Sequence, residues 1–286
     1  MIDIIISLEA TCDLEKNQIE KYNLSVINMD YEVDGKHFNT KNDDVVSSGL
    51  YEKMAQKKKT GTSQINAYNY KEYFVELLKQ NKPILHLAFS SGLSGTCEAA
   101  KTVAEELNKT NKNKIYVIDS LCACSGHGLY ATIARDYANT HDNIDDLINY
   151  MKNIRHRIYH YFTVDSLTYL ANGGRIDARK AFFGNLLNIK PVMQMSSTGK
   201  LEVMFKVMSR KKSINSLADL TLKAYDENFD YCFISHANCL NDALMLKEKI
   251  EKTTSLKPVI THLGPIIGCH SGPGTLAIYF IAKNDR

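Results

Sequence analysis

The sequence predicts an α/β protein of two α/β domains, the first built on a parallel sheet and the second on a mixed one. Three observations carry this expectation. The chain has 286 residues, more than one domain usually holds and too few for three. Short apolar runs of strand length alternate with segments of helical periodicity. In the second half, two strand-like runs are separated only by Ser197-Thr198-Gly199-Lys200, a hairpin signal foreign to a purely parallel sheet.

Taken in order, Tyr70, Phe74, Leu77 and Leu78 fall at i, i+4, i+7 and i+8, one face of a helix. Pro83 to Phe89 is a buried strand entering a Ser-Ser-Gly turn, Thr96 to Leu107 is helical, and Ile115 to Ile118 is the next strand. Strand, helix, strand is the unit of a parallel sheet. A further helical stripe, Ile144, Leu147, Ile148 and Met151, ends the first half. The domains are therefore placed at residues 1–152 and 153–286. The second half has strand-like runs at Tyr161–Val164, Val192–Met195, Leu201–Val207, Cys232–Ser235, Val259–His262 and Leu276–Ala282.

A composition of 44% hydrophobic and 23% charged residues is that of a globular protein. The longest early apolar run, Ile4-Ile5-Ile6, is too short for a secretion signal, and nothing approaches a membrane span. Seven irregularly spaced cysteines suit reduced thiols, so a cytoplasmic location is expected. Net charge is +3, which argues against a dedicated nucleic-acid binder. Residues 1–152 carry 17 basic against 21 acidic side chains and residues 153–286 carry 18 against 11, so the second half is electropositive.

Four polar clusters lie where strands should end. Thr60-Gly61-Thr62-Ser63-Gln64 offers hydroxyls that either cap the following helix or meet a ligand. Ser90-Ser91-Gly92-Leu93-Ser94-Gly95-Thr96 sets hydroxyls and helix-start amides together, suited to a carboxylate or phosphate. It resembles a nucleophile elbow only loosely, because Thr96 replaces the last glycine and no Asp and His follow in order. Gly126-His127-Gly128 is better explained by close helix packing than by a dinucleotide fingerprint, since the preceding strand ends too early. Gly264 to Thr275, with four glycines and two prolines, is expected to be a rigidly bent loop centred on His270.

Basic residues gather at Arg175, Arg179-Lys180 and Arg210-Lys211-Lys212, either as a solvated surface or facing a phosphate or acidic partner. Cys122-Ala123-Cys124 is too closely spaced for a usual zinc site, so no metal is expected. No nucleotide-binding loop of the Walker type is present.

These clusters in this order resemble the DegV family, the fatty-acid-binding B subunits of bacterial fatty acid kinase. The most specific pieces are SSGLSGT at 90–96, GGRI at 173–176 with LLNIKPV at 186–192, and GPIIGCHSGPGT at 264–275. The resemblance implies an acyl chain enclosed in a tunnel between the two domains. It places the carboxylate on Thr62, Ser94 and His270, beside which Ser63 and Ser91 complete the expected ligand-binding set. It also implies that Arg175 and Arg210 serve an ATP-dependent kinase partner. The chain would then be no enzyme itself but the substrate-binding subunit, with no cofactor beyond its long-chain fatty acid. The acyl phosphate so formed would feed phospholipid synthesis. A stand-alone small-molecule kinase or hydrolase, or a lipid-sensing regulator, is the alternative. Glu9 to Asp13, Ile65 and Asn172 depart from the family's usual residues.

Overall fold

The computed structural model describes residues 1–41, 48–177 and 188–286. Leu186 and Leu187 of the LLNIKPV segment, and Arg179 and Lys180 of the basic group, lie outside the described residues. The strands are β1 Ile5–Glu9, β2 Leu24–Ile27, β3 Asp30–Val33, β4 Lys36–Asn39, β5 Thr60–Thr62, β6 Ile84–Ala88, β7 Ile115–Asp119, β8 Ile158–Thr163, β9 Ile189–Met195, β10 Leu201–Met208, β11 Cys232–His236, β12 Val259–His262 and β13 Leu276–Ile281.

The first sheet has the order β2-β1-β6-β7, with every pairing parallel. Every residue of β1 and β6 is buried. That is why these strands read as near-continuous apolar runs rather than alternating ones: helices cover both faces of a parallel sheet. The second sheet has the order β10-β9-β8-β13-β11-β12. Only β11 and β12 pair in parallel, so the sheet is mixed. The turn Ser196–Lys200 closes the β9–β10 hairpin, with Gly199 at φ +71°.

A third sheet, β4-β3-β5, is antiparallel and lies within the first half, where only a parallel sheet was expected. Its β3–β4 turn uses Asp34 and Gly35, both at positive φ, the turn chemistry a two-residue hairpin demands. Its strands are short and rich in charge, and Tyr31 and Val33 bury the inner face.

The helix Cys124–Thr140 joins the halves, packing on β1 and on β8, β11 and β13. Its first twelve residues are all buried. A Cβ on Gly126 would lie 2.3 Å from His160 Nε2, and one on Gly128 would lie 2.6 Å from the Leu14 side chain. The glycines of Gly126-His127-Gly128 thus permit close approach, as the sequence suggested, and Gly126→Ala would force the helix off the sheet. The main core runs through both halves and includes Leu8, Leu87, Leu129, Phe162 and Tyr279. A smaller core lies on the other face of the second sheet, beneath the helices Arg210–Ala224 and Leu240–Thr253.

Two local expectations are corrected. The segment at 264–275 is not all loop: Pro265–Ser271 is a short helix with proline in its first turn. Proline there costs nothing, because its missing N–H has no partner in the first turn of any helix. Thr60–Thr62 is a strand rather than a helix cap, and the cap of the helix Ala67–Leu78 is Asn66, whose side chain accepts from the N–H of Asn69.

Candidate functional site

A cavity of about 420 Å³ lies between the first-half loops and the second sheet. Its wall is largely apolar, including Phe89, Leu93, Phe162, Met195, Leu201 and Ile266. Phe162 and Met195 come from β8 and β9, Ile266 from the helix Pro265–Ser271, and Leu93 from the loop after β6.

Polar side chains converge on part of this wall: Thr62, Ser63, Gln64, Ser94, Arg175, His270 and Ser271 all line it. Thr62 ends β5, held against Tyr31 of β3, and its Oγ1 lies 2.8 Å from His270 Nε2. His270 occupies the last turn of the helix Pro265–Ser271. A Cβ on Gly173 would sit 2.5 Å from His270 Nδ1, so glycine in GGRI gives the imidazole its space. Burial, and then the nearby Arg175 charge, push the His270 pKa down to about 4. At neutral pH the ring is uncharged, able to donate one hydrogen bond and accept one.

Ser94 Oγ lies 2.8 Å from Thr96 Oγ1 and accepts from the Thr96 N–H at 3.3 Å. It therefore fixes the start of the helix Thr96–Asn108 while facing the cavity. Ser90 is not at the cavity surface. Its hydroxyl donates to the Gly199 carbonyl at 2.8 Å, which ties this loop to the β9–β10 hairpin. Ser271 Oγ is buried and has no hydrogen-bond partner among the described residues.

The expected residues separate accordingly. Thr62, Ser63, Ser94, His270 and Arg175 share the cavity wall. Ser91 does not line it; the side chain is exposed and its N–H donates to Asp119 at 3.2 Å. Arg210 stands apart as well, its Nε 2.9 Å from Asp242 Oδ2 and its Nη2 3.5 Å from Cys239 Sγ. Cys239 in turn meets the carbonyl of Thr275, a wall residue, so Arg210 is one layer behind the cavity. Arg175 Nη1 donates to the Gly173 carbonyl.

Sequence reasoning missed the supports behind this wall. Glu9, fully buried, accepts from Tyr70 Oη at 2.5 Å, from His86 Nε2 at 3.2 Å and from the Phe89 N–H at 2.9 Å. Burial alone would raise its pKa, but His86 and then His127 outweigh it and hold the carboxyl down at about 2. His127 donates from Nε2 to the Leu87 carbonyl at 2.7 Å, leaving Nδ1 to accept from Thr11 at 3.3 Å. Thr11 and Phe89 are both wall residues, so this network positions them. Cys124 also lines the wall; its thiol meets Asp13 Oδ2 at 2.8 Å.

The fold and cavity define an α/β protein of two main sheets whose largely apolar cavity has one strongly polar region. A family model described as "Uncharacterised protein, DegV family" matches residues 2–283, and the chain belongs to the DegV family. It is 33% identical over 290 residues to a DegV domain-containing protein of Clostridium perfringens, with 100% of both chains covered. Its fold is similar to that of DegV from Bacillus subtilis, described as a fatty acid binding protein, with a TM-score of 0.85, 24% identity, and coverage of 99% of this chain and 100% of that one. A fatty acid binding DegV family protein of Streptococcus agalactiae gives a TM-score of 0.86 at 24% identity, with the same coverage.

Proposed function

We propose that this chain binds one long-chain fatty acid in the cavity and presents its carboxylate to a separate ATP-dependent kinase. The observation that carries the reading is the hydroxyl and imidazole pair of Thr62 and His270, 2.8 Å apart in the polar region of a largely apolar wall. A single acid head group on a long alkyl tail has the matching shape and chemistry. Each methylene removed from water contributes about 0.8 kcal/mol, so the tail supplies most of the affinity. The head group sets direction, because a carboxylate stripped of water needs hydrogen-bond donors. Ser94 and Ser271 stand ready as further donors. Relatives described as fatty acid binding proteins share the fold and support the assignment.

In this reading the chain supplies no catalysis. The partner brings ATP to the head group and forms an acyl phosphate, which stays bound by its tail. Arg175, at the wall, neutralises charge at the phosphorylated head, and Arg210, held by Asp242, serves docking. The acyl phosphate then feeds phospholipid synthesis. Protein purified from a bacterial host should release fatty acid into organic solvent, seen by mass spectrometry at about one per chain. Delipidated protein should take up oleate again, and failure of both would end the assignment. With a fatty acid kinase subunit added, Arg210→Ala should bind oleate normally but form less acyl phosphate. Acyl phosphate made by the isolated chain with ATP would instead favour an enzyme in its own right.

A further inference from the structure

Strand β1 and the helix Cys124–Thr140 both run from the acyl cavity to a second chamber. Thr11 and Cys124 line the first; Ile2, Ile5, Arg135 and Asn139 line the second, also about 420 Å³. The eleven helical steps from Cys124 to Arg135 span about 16 Å at 1.5 Å each. No residue lines both chambers.

The second chamber is polar and positively charged. Lys21, Lys82 and Arg135 line it, and the single acidic residue among its walls is Asp3, already paired with Lys82 at 2.7 Å. Arg135 is only 8% exposed. Its Nε donates to the Tyr22 carbonyl at 2.9 Å, and its Nη2 to those of Asn23 at 3.0 Å and Ile4 at 3.3 Å. These carbonyls orient the guanidinium, the Asp3 carboxylate offsets only part of its charge against the larger effect of burial, and Nη1 takes part in none of the three bonds. A cation drawn this far out of water is costly unless more of its charge is neutralised. A structural clamp explains Nε and Nη2. It does not explain why two lysines and the amides of Asn23 and Asn139 are gathered around the same opening.

We propose that this chamber binds a small phosphate-bearing anion, with Arg135, Lys21 and Lys82 as its charged contacts and Asn23 and Asn139 as neutral donors. Three side-chain cations against Asp3 leave a surplus of two formal charges among the side chains. That matches a phosphomonoester, which carries about −1.5 to −2 at neutral pH, and exceeds what a monocarboxylate can offset. The site is independent of the acyl cavity, so the proposal does not depend on the lipid assignment.

Calorimetric titration of the full chain with inorganic phosphate, pyrophosphate and malonate tests it, malonate being a dianion of the wrong chemistry. One saturable site is expected, favouring phosphate or pyrophosphate over malonate by about tenfold. Lys21→Gln with Lys82→Gln should weaken it by at least about tenfold, while Lys109→Gln with Lys112→Gln, both exposed on the first half, should leave it unchanged. Arg135→Lys should weaken it too, and the lysine pair keeps the test decisive should that variant not fold. The proposal is overturned by the absence of saturable binding, by equal affinity for malonate, or by equal losses in the two lysine pairs.

Discussion

Around Glu9, both carboxylate oxygens are occupied by groups of the chain itself: Tyr70 Oη and His86 on one, the Phe89 N–H on the other. Around Thr62 and His270, by contrast, Ser271 Oγ is buried without a partner and Ser94 faces open volume. Both clusters sit in apolar surroundings, and both remove polar atoms from bulk water. The first is closed and its contribution is to stability and to the placing of Thr11 and Phe89. The second is left incomplete, which folding alone does not favour, since an unsatisfied buried polar atom costs about 1–3 kcal/mol. Under the proposed function, the acid head group would supply the partner that this cluster lacks.

The contrast is broken most forcefully at Glu9. Glu9→Ala leaves the Tyr70 hydroxyl, the Phe89 N–H and the His86 ring without their acceptor at a fully buried position. A loss of about 3–5 kcal/mol in unfolding free energy is expected, read from urea denaturation, and Glu9→Gln should lose less because an amide oxygen still accepts. A loss below about 1 kcal/mol for the alanine variant would show that the cluster is not closed in the sense argued.

At the open cluster the signs should differ. Ser271→Ala removes a hydroxyl with no partner, so delipidated protein should be as stable as the parent or slightly more so. Oleate affinity should nevertheless fall by about 3- to 10-fold, the worth of one net hydrogen bond. Thr62→Ala should bring a larger binding loss together with a stability loss of about 1 kcal/mol, because its hydroxyl is paired with His270 at 2.8 Å. Gly173→Ala sharpens the point, because the added methyl meets His270 at 2.5 Å; displacing the ring should weaken binding as much as removing it. Equal effects on stability and affinity at these positions would make the two clusters alike.

Much of the framework was legible because periodicity follows burial. β6 and β7 and the helix after β6 matched their apolar runs within a residue or two. The hairpin at Gly199 was legible from its turn chemistry. The β3–β4–β5 sheet was not, though Asp34-Gly35 carried the signal, because four-residue strands bearing Glu32, Lys36 and His37 do not read as a buried pattern. At the site, Thr62, Ser94 and His270 could be named from motif resemblance, but no spacing rule brings residues more than 200 positions apart to 2.8 Å. Glu9 was named only as part of a segment that departs from the family's usual residues, because a single acid inside an apolar strand says nothing by itself; its meaning lies in His86 and His127, which the fold alone supplies.

A pH-dependent effect is expected at Asp13, which tests whether the thiol of Cys124 belongs to a closed pair or an open one. Burial, the largest influence, pushes the Asp13 carboxyl up to about 7, and hydrogen bonds from Cys124 and the Gly264 N–H only partly oppose it. In the unfolded chain the group has its ordinary value of 3.8. Between those limits the folded protein holds a proton that the unfolded chain has released, so rising pH favours unfolding through that window and has no further effect above it. His270 and His236, both lowered to about 4, act in the opposite direction, favouring unfolding as pH falls from 6.5 toward 4. Asp13→Asn isolates the first contribution: relative to the parent, its unfolding free energy should improve steadily from pH 5 to pH 7 and then level. The slope should not exceed about 1.4 kcal/mol per pH unit, the limit for one proton. An asparagine oxygen can still accept from the thiol, so a parent and variant that run parallel across this range would mean that Asp13 is ionised in the fold and the pair is open to solvent.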